Sequence, residues 1–157
     1  KSSLINALTQ KKQLAFTSSK PGHTKLLNYF LIDNKFYLVD APGYGFTQKG
    51  SKYDDSFSEM MENYFENKYL KGVVFLLDSR RVPSDDDVMF YDFLVNNNVN
   101  YIIALSKCDK LNQKETHQAL KNIKEKLNNL DEDKIVYTSV KISKSIEELK
   151  KRIASLL

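Results

Sequence analysis

One cysteine, Cys108, is all the thiol chemistry this 157-residue chain carries. An intrachain disulfide and a four-cysteine zinc site are therefore both excluded, which suits a reducing, cytosolic compartment. No apolar run approaches the ~20 residues that span a bilayer, and no charged-then-apolar leader opens the chain. Neither a membrane span nor a secretory signal is expected. Repeats, low-complexity tracts and linkers are lacking as well. The two histidines, His23 and His117, lie far apart with no evident serine or carboxylate partner, so the sequence does not describe a hydrolase triad.

What is there is an ordinary globular composition, 41% hydrophobic and 28% charged, on a length that suits one domain with a real core. A net charge of +4 makes the chain mildly basic. Solvated lysine-rich faces would account for that, and so would weak attraction to RNA or another polyanion; composition does not choose between them.

Hydrophobic spacing divides the chain into alternating strands and helices. Leu4, Ile5 and Leu8 share one face of a helix starting at Lys1. A Ser/Pro/Gly-containing loop from Leu14 to Thr24 leads to two strands, Leu26 to Ile32 and Lys35 to Val39, joined by a tight Asp33-Asn34 turn. A second loop runs from Ala41 to about Asp55. Ser56 then caps a helix whose inner face is Phe57, Met60, Met61, Tyr64 and Phe65. Gly72 to Leu77 reads as a strand covered on both faces. The run Ser84-Asp85-Asp86-Asp87 opens the next helix, where carboxylates suit the positive end of the dipole better than they suit a metal site. Tyr101 to Leu105 is another buried strand, after the Asn96-Asn97-Asn98 turn. A basic helix follows with Leu120, Ile123, Leu127 and Leu130 inward. Ile135 to Tyr137 is the last strand, and a final helix buries Ile146, Leu149, Ile153 and Leu156 or Leu157. The alternation predicts an α/β fold, a mostly parallel sheet with helices on both faces.

Three polar tetrapeptides follow β-rich runs and so fall at the carboxyl edge of that sheet, where open α/β folds bind ligands. Asp40-Ala41-Pro42-Gly43 offers a carboxylate able to order the water shell of magnesium and a glycine N–H able to approach a γ-phosphate oxygen; a plain Pro-Gly turn is the alternative. In Ser106-Lys107-Cys108-Asp109 the aspartate can accept two hydrogen bonds from guanine N1–H and N2–H₂. Adenine has no such paired donors, and a readout of this kind discriminates by about 10⁴-fold or more. The stem of Lys107 can cover the base plane, and Cys108 is inert. The alternative is an exposed Lys/Asp loop. Thr138-Ser139-Val140-Lys141 would close over the base, with the N–H groups of Ser139 and Val140 near guanine O6. Upstream, Lys1-Ser2-Ser3 opening a helix matches the end of a phosphate-binding loop, with the lysine on the β/γ-phosphates and Ser2 on magnesium; a serine there could equally be a helix cap. Thr24 can give magnesium a second hydroxyl. Arg80-Arg81 could touch a nucleotide or RNA, or pair with neighbouring aspartates.

In these motifs the chain resembles the translation-factor-related P-loop GTPases, and in detail their EngB branch. The resemblance rests on Lys1-Ser2-Ser3-Leu4-Ile5-Asn6-Ala7-Leu8, Ser19-Lys20-Pro21-Gly22-His23-Thr24 with Asn28-Tyr29-Phe30, and Asp40-Ala41-Pro42-Gly43-Tyr44-Gly45-Phe46. Asp78-Ser79-Arg80 leading to Pro83 and Asp87, and Ser106-Lys107-Cys108-Asp109-Lys110, complete it. It implies a Ras-like three-layer sandwich and a single GTP-binding domain over residues 1–157 that starts inside the phosphate-binding loop, without the strand and glycines before it. It also implies a GTPase with magnesium as cofactor and Lys1 as its catalytic group. The nucleotide would lie along Lys1, Ser2 and Ser3, along Gly22, His23, Thr24, Lys25 and Leu26, and along Asp40 to Gly43, Ser106 to Asp109 and Thr138 to Val140. Ser2 and Thr24 would be the metal ligands. The implied partner is the large ribosomal subunit or its precursor, with no membrane, in a monomer of the bacterial-type cytoplasm or an organelle, linked also to septation. Tyr44 stands where Ras-like enzymes carry the water-orienting glutamine, so hydrolysis is expected to be slow without a partner. Two other readings are a ribosome-binding module that nucleotide merely stabilises, and an ATP-using P-loop enzyme, the latter disfavoured by Lys107 and Asp109.

Overall fold

The computed structural model describes residues 1–11, 14, 27–43 and 63–157. The helix expected from Ser56 lies outside them except for residues 63–65, which are helical. The chain forms two compact units, one of residues 1, 3–15 and 71–157 and one of residues 2 and 16–70.

In the larger unit, strands β3 (Val73–Asp78), β4 (Tyr101–Ser106) and β5 (Ile135–Thr138) form a parallel sheet in the order β3-β4-β5. Helix α2 (Asp85–Asn96) connects β3 to β4, α3 (Gln113–Lys126) connects β4 to β5, and α4 (Ser143–Ala154) follows β5. The first five residues of β4 are all buried, as a central strand covered on both sides demands. Ile102 and Ala104 share a cluster with Leu4 of α1 (Ser2–Thr9), Val136, and Ile146 and Leu149 of α4. The alternate residues Tyr101, Ile103 and Leu105 are buried on the opposite side. There the Tyr101 ring meets Tyr91 of α2 edge-on at 5.6 Å, and Phe75 meets Phe90 at 5.2 Å.

Capping boxes fix where two helices begin. Ser84 Oγ accepts from Asp87 N–H while the Asp87 carboxylate accepts from Ser84 N–H; Asn112 and Glu115 do the same for α3. The acidic run 85–87 thus starts a helix, as expected. In α3 the buried residues are Ala119 and Ile123, with Leu127 just beyond; Leu120 and Leu130 are only half-buried. Ala119, and not Leu120, takes the buried position of that turn. At the C-terminus Leu156 packs on the core, whereas Leu157 is exposed.

In the smaller unit β1 (Asn28–Ile32) and β2 (Phe36–Asp40) pair antiparallel, with Asn28 opposite Asp40. Asp33 (φ 49°) and Asn34 (φ 54°) both adopt the left-handed region, and Lys35 N–H donates to Ile32 O at 2.9 Å. Two left-handed residues suit the twist of a tight hairpin, and Asp and Asn tolerate that backbone without glycine. Among the described residues no helix is long and apolar enough to cross a membrane.

Candidate functional site

The parallel ladder sets Asp78 opposite Ser106 and Ser106 opposite Thr138, so the three strands end level. Each end residue is polar, and each is followed by a loop at the same edge of the sheet. Ser106 Oγ donates to Leu77 O at 2.9 Å and ties β4 to β3. The chain then turns through Lys107 in the left-handed region (φ 63°, ψ 30°) into a 3-10 turn over Cys108–Lys110. A non-glycine residue holds that backbone at a cost of about 1–3 kcal/mol. Lys107 Nζ reaches back to Asp78 Oδ2 at 2.8 Å.

Asp109 emerges from this turn with its side chain 17% exposed. Ser139 Oγ, from the loop after β5, donates to Asp109 Oδ1 at 2.6 Å, and Lys141 Nζ stands 3.9 Å from Oδ2. The Ser139 hydroxyl, assisted by Lys141 and Lys110, holds the Asp109 carboxyl below the usual carboxylate range, against the opposing effect of burial. The group is an anion at neutral pH with acceptor capacity left on both oxygens. Burial and the adjacent Asp109 push the Cys108 thiol up, which makes it a poor nucleophile.

The loop after β5 is more tightly specified than its sequence suggests. Ser139 N–H donates to Ser145 Oγ at 3.0 Å, and Lys141 N–H donates to Ser139 Oγ at 3.1 Å. Ser139 N–H thus has an acceptor in the first turn of α4. Val140 N–H has no acceptor among the described residues, and the residue is exposed. Thr138 is fully buried, so it supports the loop from beneath.

Asp78 was not singled out as a site residue. Its Oδ2 accepts from Arg80 Nη2 and from Lys107 Nζ, each at 2.8 Å, and Oδ1 accepts from Arg80 Nε at 2.9 Å and from Arg80 N–H at 3.1 Å. The Arg80 side-chain hydrogen bonds, with those from Lys107 and the Arg80 backbone, hold its carboxyl far below the usual range although burial opposes them. Of the two readings for Arg80, the ion pair with an aspartate is the one formed. The sequence signals for this cluster are an aspartate ending a β-rich run and an arginine two residues on.

Lys1 is the N-cap residue of α1, and its carbonyl accepts from Leu4 and Ile5 N–H; no described side chain caps this helix. Ser2 and Ser3 lie in its first turn, so neither is the cap. Asp40 is buried at the end of β2, Ala41 and Pro42 are half-buried, and Gly43 is exposed. Ser2 and Asp40 to Gly43 fall in the smaller unit; Lys1, Ser3 and both loops around Asp109 fall in the larger. Gly22, His23, Thr24, Lys25 and Leu26 lie outside the described residues, as does Tyr44. Among the described residues no group of three or more His, Cys, Asp or Glu could hold a metal ion.

Comparison with known proteins gives the same picture. The family described as "50S ribosome-binding GTPase" matches residues 1–107. A probable GTP-binding protein EngB of Geobacillus sp. (strain WCH70) is 42% identical over 149 residues, 94% of this chain and 77% of that protein. Its counterpart in Fusobacterium nucleatum is 45% identical, covering 89% and 72%, and that of Mycoplasma capricolum 47%, covering 88% and 72%. The crystal structure of a probable GTP-binding protein engB superposes with a TM-score of 0.76 over 99% of this chain and 91% of that one; at 24% identity it shows the α/β fold. The chain belongs to the EngB family of GTP-binding proteins and carries its GTPase domain.

Proposed function

We propose that this protein is a guanine-nucleotide switch that hydrolyses GTP slowly by itself and acts in assembly of the large ribosomal subunit, with a consequent link to septation. The observation that carries the base-binding part is the Asp109 carboxylate, ionised and gripped by Ser139 Oγ at 2.6 Å on a strained turn. That carboxylate would accept from guanine N1–H and N2–H₂, the Lys107 stem would cover the base, and Val140 N–H alone would serve O6. Lys1 and Ser3 at the start of α1, and Gly43, would meet the phosphates, as helix N-termini and glycine N–H groups do. Gly22 to Leu26 would complete the nucleotide envelope.

Ser2 offers a hydroxyl oxygen, a hard donor that suits magnesium when phosphates and water supply the rest of its shell, and the Asp40 carboxylate would order that water. The lack of a cation-binding cluster among the described residues fits a metal that arrives with the nucleotide. Ser2 and Thr24 would be the protein's ligands, and the ion would neutralise charge on the phosphates. Lys1 would act electrostatically on the same charge, since no side chain among the described residues is placed as a general base. Residues 1–157 would work as one G domain in a cytoplasmic monomer, and the matching family of 50S ribosome-binding GTPases supports the ribosomal partner.

Side-by-side titration of GTP and ATP tests base selection, and Asp109→Asn tests the residue responsible. The variant is expected to lose GTP affinity by roughly 10²-fold or more and to accept xanthosine triphosphate, whose edge replaces a donor with an acceptor. Unchanged guanine preference in Asp109→Asn would refute the assignment.

A further inference from the structure

Resting on that reading of the base site, we infer that Asp78 is a positioning residue for guanine-nucleotide retention: it tethers Lys107 so that the lysine stem is held as a fixed wall for the purine. Two cations share one carboxylate here. Lys107 Nζ and Arg80 Nη2 both lie 2.8 Å from Asp78 Oδ2, and Arg80 Nε holds the other oxygen at 2.9 Å. The Arg80 contacts are within one loop, so they fix the carboxylate on its own strand end. The Lys107 contact crosses from β3 to the loop after β4 through the lysine's ammonium.

The strand register makes this tether short. Asp78 pairs with Ser106, the residue before Lys107, so the carboxylate stands beside the base of the turn. Lys107 sits in a left-handed backbone that no glycine relieves, and a free lysine there would sample many rotamers. Pinning the ammonium removes that freedom before any ligand arrives, and charge-assisted hydrogen bonds are the strong kind. Without Asp78, Lys107 and Arg80 would face each other as like charges, and the stem would swing off the base. Asp78 does not touch the phosphates in this account, so its loss acts on nucleotide release and leaves the bond-breaking step alone.

The test is a double-mutant cycle on full-length protein, with release of fluorescent GDP followed by stopped flow and single-turnover GTP hydrolysis measured in parallel. Asp78→Asn is expected to speed release about tenfold, Lys107→Met to speed it similarly, and the double variant to be no faster than either single one. For Asp78→Asn the single-turnover hydrolysis rate at saturating GTP should stay within about twofold, which a general loosening of the fold would not allow. Because Lys107 is exposed, Lys107→Met keeps the question answerable even should Asp78→Asn fold poorly. Additive effects in the double variant, or unchanged release in either single one, would overturn the tether while leaving guanine selection by Asp109 intact. Equal affinity of the unaltered protein for GTP and ATP would instead overturn the base site, and the tether with it.

Discussion

Ser145 shows how far a single hydroxyl can set a site it does not touch. Its oxygen accepts from Ser139 N–H at 3.0 Å, and its proton is directed at the carbonyls of Ile142 (2.7 Å) and Ser139 (3.1 Å). Ser139, itself 3% exposed, then aims its own hydroxyl at Asp109. Removing the Ser145 oxygen would leave a buried N–H with no acceptor, which costs about 1–3 kcal/mol. Ser145→Ala should therefore lower stability in urea by that amount and weaken GTP binding several-fold, while Ser145→Thr, which keeps the oxygen, should retain most of both. Normal GTP affinity in Ser145→Ala would mean that Ser139 holds Asp109 unaided. The same chain of contacts explains what the sequence conceals. The tetrapeptide Ser106 to Asp109 is readable because its parts are neighbours on one turn. The Ser139–Ser145 bond and the Asp78–Lys107 pair join residues 6 and 29 positions apart, and only the folded register brings them together.

At the scale of elements, the weight falls on α4 against the sheet. Leu149 is completely buried and shares a cluster with Leu4, Ile102, Ala104, Val136 and Ile146. Leu149→Ala would remove the close contacts of three carbons and leave a cavity between helix and sheet, at a cost of about 2–5 kcal/mol. Equilibrium unfolding should report that loss; a change below about 1 kcal/mol would mean that α4 can close over the gap. Ile146 and Leu149 were legible from their helical spacing, and the strands were legible from β-rich runs, because both signals are local. Each of β3, β4 and β5 runs one residue beyond its apolar stretch, since the ladder continues through Asp78, Ser106 and Thr138 to the edge. Ala119, by contrast, was passed over in favour of Leu120. Apolar size ranks leucine first, but Ala119 lies one turn before Ile123 on the buried face, and alanine is too small to stand out in the periodicity. The Asp33-Asn34 turn was placed correctly, yet its left-handed pair could not be argued from residues that lack the usual glycine.

Across the whole molecule, the edge that would read the base is braced by side-chain hydrogen bonds, while the catalytic help expected of the chain itself is electrostatic, through Lys1. Asp109 is fixed by Ser139, Ser106 ties two strands together, and Lys107 is pinned to Asp78. Against this, the residue after Gly43 is Tyr44, whose ring cannot orient water as an amide does. Such a protein should hold its nucleotide well and turn it over on the order of 10⁻³ s⁻¹ or slower when alone. Its net charge of +4 favours encounter with a polyanionic particle. Single-turnover hydrolysis is therefore expected to accelerate on the order of 10²-fold when precursors of the large ribosomal subunit are added, the gain that one well-placed donor supplies. Raising the salt should weaken the stimulation by screening the encounter, without altering the unassisted rate. Hydrolysis that ignores the particle, at low salt and with binding verified by co-sedimentation, would instead make the bound nucleotide a structural stabiliser of a docking surface. The two outcomes also differ at Lys1: Lys1→Ala should abolish stimulated turnover in a switch, but should affect docking only as far as nucleotide occupancy falls in a stabilised module.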